Sequence, residues 1–306
     1  MNYKERLLSI QKASGWSQEQ LAARLNVSFV TLNSWINERS VPRKKALNSI
    51  ERLYLEILGT DKIDQVVLQE EKRRALKVKT HASTIIQDKT NLDALTLYLT
   101  YHTNTIEGST MTLSDVEDVI FNHKVLSNRT AIEQIEARNH QATLYWLLDE
   151  LAKKGRGFVI DETLILGIHL RLMNGIISDA GQYRRHPVRI MDSHIPLANW
   201  TKVVGLINDL TVDMKQLSND PISTLANNHA RFEKIHPFSD GNGRTGRLIM
   251  LAQALSAGLM PPLVVKERKV AYYKYLEIAQ TKESYLPLEL FIAQSIQFTG
   301  ELLKGS

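Results

Sequence analysis

The chain has 306 residues, 43% of them apolar and 23% charged, the composition of a globular protein with room for two domains or one large one. It has no cysteine, which excludes a disulfide framework, thiolate metal sites and thiol nucleophiles, and suits a reducing, cytoplasmic setting. The formal charge of +5 is uneven: residues 1–60 hold nine Lys/Arg against five Asp/Glu, and the remainder 29 against 28. That is a modest basic footprint of the kind nucleic-acid binders carry.

The N-terminus, MNYKERLLSIQKASG, is charged from the start and shows no apolar signal-peptide core. Runs such as Leu144–Leu148 are far shorter than the ~20 residues of a membrane span, so no membrane partner is expected. Ser17-Gln18-Glu19-Gln20 reads as a capping box opening a short helix through Leu25. After the turn at Asn26-Val27-Ser28, a second helix runs from about Ser28 to Asn37, with Leu21, Ala22, Leu25, Val27, Leu32 and Trp35 as a shared core. A third amphipathic helix follows Pro42 through Ala46, Ile50, Leu53 and Ile57.

Two short helices about a tight turn suit a helix-turn-helix unit. The residues from Leu21 to Trp35 resemble DNA-binding domains of the phage-repressor type. The resemblance implies DNA as a partner of residues 1–60, and repressor-like modules commonly work as homodimers. The second helix would enter the major groove, with Ser28, Phe29, Asn33 and Ser34 towards bases and Arg39, Arg43, Lys44 and Lys45 towards phosphates. An apolar Phe29 is unusual for a hydrogen-bonding reader. A helical hairpin used only for packing or dimerisation is the alternative.

Residues 61–91 are charge-rich with mixed signs and read as a solvated connecting helix. Helical periodicity then recurs over 92–103, 114–122 (capped by Ser114 with Glu117), 130–153, 161–173, 200–216, 221–234, 243–257 and 271–280. Only Val188 to Ile195 looks extended, as a small β-hairpin. The expected class is all-α, a helical core over 92–306 with a β flap behind the helix-turn-helix unit.

The chemistry concentrates in His236-Pro237-Phe238-Ser239-Asp240-Gly241-Asn242-Gly243-Arg244-Thr245-Gly246-Arg247, a loop leading into an apolar helix. A helix N-terminus offers unpaired N–H groups and a partial positive charge to an anion. Gly241 and Gly243 let a phosphate approach the backbone, and Asn242 can cap the helix and donate to it. Arg244 and Arg247 oppose the helix dipole, so the pair implies a bound anion. Asp240 can hold a Mg²⁺ that bridges phosphate oxygens. His236 is the group suited to proton transfer near neutrality. A P-loop does not fit, because no Gly-Lys-Ser/Thr and no preceding strand is present.

His-Pro-Phe-x-Asp-Gly-Asn-Gly-Arg-x-x-Arg resembles the full signature of the Fic family, matching at every fixed position. Gly181-x-Tyr183-Arg184, Phe232-Glu233-x-Ile235 and Gly258-Leu259-Met260-Pro261-Pro262 extend the likeness over about residues 92–280. It implies a helical Fic core that transfers AMP from ATP-Mg²⁺ to Ser, Thr or Tyr of a protein. His236 would be the base and Asp240 the Mg²⁺ ligand. Gly241, Asn242 and Gly243 would hold the α/β-phosphates, Arg244 would contact the β-phosphate and Arg247 the γ-phosphate. Pro237 and Phe238 would anchor the loop, and the Val188–Ile195 hairpin would dock the target as an added strand.

Thr103-Asn104-Thr105-Ile106-Glu107-Gly108 resembles the family's inhibitory pattern. A glutamate brought to Arg247 would form a charge-assisted pair and occupy the arginine meant for the γ-phosphate. The resemblance also permits a role for Glu107 in aligning a water that removes AMP. The expectation is an autoinhibited adenylyltransferase acting on a protein, itself included. The alternative is a DNA-binding transcription regulator whose Fic core senses nucleotide. Transfer of another nucleotide or phosphate-containing group is a third reading, since the loop says little about the base.

Overall fold

The computed structural model describes residues 2–58, 63–189, 195–215 and 219–304. The chain opens with α1 (Tyr3–Ser14), α2 (Gln18–Arg24), α3 (Phe29–Ile36) and α4 (Lys44–Leu58). The expected capping box at Ser17 and Gln20 forms, and Ser28 caps α3 by accepting from the Thr31 amide. Asn26, in left-handed backbone at φ 55°, makes the turn between α2 and α3. Leu21, Ala22, Leu25, Leu32 and Trp35 are buried as expected, and Val27 is partly buried against them.

α1 was not expected as a helix. Its own capping box, Asn2 with Glu5, starts it, and Gly15 at φ 69° ends it. Leu7 and Ile10, both fully buried, complete the small core against α4.

The connecting stretch is two helices, α5 (Gln65–Ala75) and α6 (Ala82–Gln87), and α5 is no solvated spacer. It packs on the C-terminal helix, burying Leu68 and Ala75. Lys72, 5% exposed, reaches Asp220 and Glu289, each at 2.5 Å. Charge richness misled here because a buried lysine is stable when two carboxylates meet it. Between the two helices, the chain exchanges backbone bonds with residues 258–260 at an isolated antiparallel bridge, Lys79 to Leu259.

The larger part comprises α7 (Lys89–Ile106), α8 (Leu113–Ile120), α9 (Ala131–Lys154), α10 (Glu162–Met173), α11 (Val203–Met214), α12 (Pro221–Ile235), α13 (Asn242–Ser256), α14 (Lys269–Lys282) and α15 (Leu286–Lys304). The cap of α8 is Thr112 with Asp115 rather than Ser114 with Glu117. α15 had been missed, although it buries Leu288, Phe291, Ile292 and Ile296. Residues 190–194 of the expected flap lie outside the described residues.

α12 and α13 pack together between two apolar cores. Phe232, Phe238, Leu248 and Leu251 belong to one, and Ile222, Leu225, Met250 and Ala254 to the other. A helix buried on nearly all sides must satisfy its polar groups within the protein. For α13 those groups lie in its first two turns, where the signature loop arrives. α4 packs on α14, and Tyr54 touches both the small N-terminal core and the core beneath α14.

Candidate active site

α12 ends at Ile235, and His236 takes left-handed backbone at φ 51° and ψ 62°. A residue with a Cβ rarely adopts this region, and here it turns the chain so that Phe238 enters the core with no exposure. Nδ1 of His236 lies 3.2 Å from the Glu233 carbonyl oxygen. A carbonyl only accepts, so Nδ1 carries the proton and Nε2 keeps its lone pair. Burial lowers the His236 pKa, with the bond to Glu233 opposing it, so the ring is neutral at neutral pH. Arg184, itself buried, clamps the loop from behind: its Nε donates to the His236 carbonyl at 2.7 Å and its amide to the Pro237 carbonyl at 3.0 Å.

Gly241 precedes α13 with φ 75° and no side-chain cap, leaving the first-turn N–H groups without that partner. A Cβ at this glycine would stand 2.6 Å from Sδ of Met173, so the close approach needs glycine as well as the positive φ. At Gly243 a Cβ would collide with the Glu107 carboxylate and stand 3.0 Å from Nη1 of Arg247. Asn242 has a partner within the loop. Its Oδ1 accepts from the Phe238 amide and its Nδ2 donates to the Phe238 carbonyl, both at 2.9 Å, and it is 2% exposed. The side chain thus also holds the loop shut.

Both arginines are nearly buried, and each meets a carboxylate. Arg247 donates from Nη2 to Oε1 of Glu107 at 2.5 Å and from Nε to Oγ1 of Thr103 at 2.7 Å. Arg244 donates from Nη1 to Oε1 of Glu136 on α9 at 2.5 Å, and its Nη2 lies 3.6 Å from Oδ2 of Asp240. Burial pushes Glu107 up, but the charge and hydrogen bond of Arg247, joined by the charges of Arg244 and Lys269, together hold the carboxyl below its usual range. Burial acts to lower Arg247, and Glu107, Tyr272 and Tyr273 together more than reverse that. Nη1 of Arg247 and Nε of Arg244 are buried without a hydrogen-bond partner. Two orphan donors beside an uncapped helix start are what an anion would satisfy.

Asp240 stands at the rim with its side chain 61% exposed, and its Oδ1 accepts from the Gly241 amide at 2.6 Å. Among the described residues no group of three or more His, Cys, Asp or Glu gathers as a metal cage. A single accessible carboxylate fits Mg²⁺, which keeps waters and takes phosphate oxygens as its other ligands. Sequence reasoning named Thr103 only within its motif, not as a partner of Arg247, and missed the partners Glu136 and His169. The three lie on α7, α9 and α10, distant along the chain from the loop they hold, and only the i, i+4 spacing of Thr103 and Glu107 hinted at any of them.

Residues 159–254 match the Fic/DOC family, and residues 10–54 match the helix-turn-helix family. The chain carries a Fic domain. Among curated relatives, a protein adenylyltransferase Fic of Nematostella vectensis is 30% identical over 273 residues, covering 88% of this chain and 61% of that protein. A namesake in Drosophila erecta is 30% identical over 213 residues, covering 66% of this chain and 40% of its own length. The chain thus spans 61% and 40% of the length of these two relatives. Two solved structures share the Fic fold: Fic-1 from C. elegans, at TM-score 0.67, 22% identity and 94% and 84% coverage, and a Fic domain-containing signaling protein from Bacteroides thetaiotaomicron, at TM-score 0.63, 20% identity and 78% and 97% coverage.

Ahead of the Fic domain, the helix-turn-helix unit presents α3. Ser28 and Arg39 are exposed, while Asn33 and Ser34 are half-buried. Asn33 donates to Gln18 at 3.2 Å and accepts from Asn37 at 3.0 Å, and Ser34 pairs with Ser40 at 2.8 Å. Phe29 and Val30 are the exposed apolar residues there, at 43% and 75%. The side chain of Lys44 lies outside the described residues. No helix among the described residues is long and apolar enough to cross a membrane.

Proposed function

We propose that the Fic domain transfers AMP from ATP to a hydroxyl of a protein Ser, Thr or Tyr, and that Glu107 holds it inactive until displaced. One observation carries this reading: an uncapped helix start flanked by two buried arginines with orphan donors, each with a carboxylate already seated against it, Glu136 on Arg244 and Glu107 on Arg247. The target oxygen attacks the α-phosphorus, the bond to the β-phosphate oxygen breaks, and pyrophosphate leaves. The proton of the hydroxyl passes to Nε2 of His236, which the Glu233 contact leaves free. Arg244 would meet the β-phosphate and Arg247 the γ-phosphate, with the residues Gly241, Asn242 and Gly243 along the chain of phosphates. Asp240 would hold Mg²⁺, which neutralises the phosphate charge when bound. Positioning and charge stabilisation, rather than covalent catalysis, supply the acceleration.

In this reading Glu107 acts as a stand-in anion. Its carboxylate takes the donors that would orient the γ-phosphate, so ATP binds without alignment. Incubating the full-length protein and its Glu107→Gly variant with labelled ATP and a lysate tests the reading. Label transferred only by the variant supports it; transfer by neither opposes it. Alignment of a water by Glu107 for AMP removal belongs to the same assay, read as loss of label from modified protein.

A second reading is favoured by the packing of α4 on α14. α14 carries Tyr272, whose ring lies 6.0 Å below the Arg247 guanidinium. The helix-turn-helix unit would bind DNA and report to the Fic site along that contact. A gel shift with a duplex from the promoter of its own gene, with and without ATP, tests it.

A further inference from the structure

We infer that His169 is a positioning residue for Asp240: a fixed-tautomer clamp that holds the Asp240–Gly241 peptide so that one carboxylate oxygen faces outward to a divalent cation. This rests on the reading of Asp240 as the cation ligand. His169 lies on α10 with no exposure, and its ring stacks flat on Phe238, with centroids 3.6 Å apart and planes 4° from parallel. The amide of Gly181 donates to Nδ1 at 2.9 Å, and Nε2 lies 3.0 Å from the Asp240 carbonyl oxygen. An amide N–H can only donate and a carbonyl can only accept. Nδ1 is therefore the bare nitrogen, and Nε2 carries the hydrogen to Asp240.

The consequence runs through one peptide plane. A trans peptide holds its C=O and N–H rigidly on opposite sides. His169 fixes the carbonyl of Asp240, which fixes the N–H of Gly241. That N–H donates to Oδ1 of Asp240 at 2.6 Å, which fixes the carboxylate. Oδ2 is left towards solvent, with the Arg244 guanidinium at 3.6 Å. The left-handed Gly241, at φ 75°, would otherwise let this peptide flip. The same imidazole ties down Gly181, two residues before Tyr183, whose ring packs 5.7 Å from Phe238. His169 thus couples the loop to the segment that precedes Arg184. An outer partner that orients a ligand carboxylate commonly governs about 10- to 100-fold in metal affinity.

Three substitutions separate the roles. Phe keeps the flat stack and loses both hydrogen bonds. Asn places an acceptor near the Nδ1 position and can keep Gly181 alone. Gln places its amide nitrogen where Nε2 stands and can keep Asp240. In the full-length Glu107→Gly protein, Mn²⁺ binding in the presence of a non-hydrolysable ATP analogue is read by electron paramagnetic resonance, alongside AMP transfer as a function of Mg²⁺.

His169→Phe and His169→Asn are expected to weaken Mn²⁺ binding at least about tenfold and to raise the Mg²⁺ needed for half-maximal transfer in step, while His169→Gln stays within about threefold of the parent. Equal behaviour of the Asn and Gln variants, or parental Mn²⁺ binding by the Phe variant, overturns the inference. If the Phe variant fails to fold, the Asn and Gln pair decides alone. A parent that binds Mn²⁺ but transfers no AMP sinks the functional reading and leaves the resonance comparison standing. A parent that binds no Mn²⁺ sinks the clamp.

Discussion

The carboxylate of Glu107, at the end of α7, lies 2.5 Å from Nη2 of Arg247 in the second turn of α13, across 140 residues of sequence. Thr103, one turn before Glu107, holds Nε of the same guanidinium at 2.7 Å. One helix end therefore grips the arginine twice, once by charge and once by a hydroxyl.

Replacing Glu107 by Gly frees Nη2 for a phosphate while leaving Thr103 in place. Labelled-AMP incorporation is expected to rise at least about tenfold, the factor that corresponds to roughly 1.4 kcal/mol. A rate equal to that of the unaltered protein discards the brake.

In the Glu107→Gly background, His236→Ala removes the proposed proton acceptor and leaves both arginines intact. AMP transfer should fall by about 10²- to 10⁴-fold, the usual contribution of a positioned base, while ATP binding measured by calorimetry persists. Loss of both together would assign His236 to binding instead.

The pair also contributes to stability. Arg247→Ala leaves Glu107 facing the helix start alone, and Glu107→Ala leaves Arg247 with Thr103 alone. Because the Glu107 side chain is 31% exposed, solvent screens the pair, and a coupling of about 1–2 kcal/mol is expected from a double-mutant cycle in urea. Strict additivity of the two single changes would show that they do not interact.

Acid sensitivity follows from buried histidines. Burial pushes His102 down to about 4, and His140 and His229 each down to about 3. The unfolded chain binds protons at about pH 6.5 that the folded protein refuses. Their stabilising contribution is complete above that pH and is lost as pH falls, by about 1.4 kcal/mol per pH unit for each histidine. Glu233 opposes them: burial raises it to about 7, so the folded state holds an extra proton and its contribution declines as pH rises towards 7. Three groups outweigh one, so Tm should drop steadily from pH 6.5 to pH 4.5. A flat Tm over that range contradicts the burial argument.

At the N-terminal unit, Arg39→Ala removes an exposed cation and no packing. Under the DNA-binding reading, affinity should fall for all duplexes alike, with the salt slope reduced by about 1 in a filter-binding titration. An unchanged slope would place Arg39 away from phosphate.

Much of this was legible from residues close together in the chain. The loop from His236 to Arg247, the all-α class, the helix-turn-helix unit and the capping box at Ser17 all rest on interactions spanning a few residues, where spacing and side-chain chemistry suffice. Glu107 was legible too, from its pattern with Thr103, and the pair it was expected to make is present. The missed elements failed for a common reason. α1 and α15 are held by tertiary burial, and α5 looked solvated because Lys72 was read without Asp220 and Glu289, which stand 148 and 217 positions further on. Asn242 was legible as a residue of the helix start, but its bonds to the Phe238 backbone were not. Sequence by itself thus determined which groups could do chemistry. The tertiary structure decided which stay available, because a buried polar atom takes whichever partner packing brings, and that partner can come from anywhere in the chain.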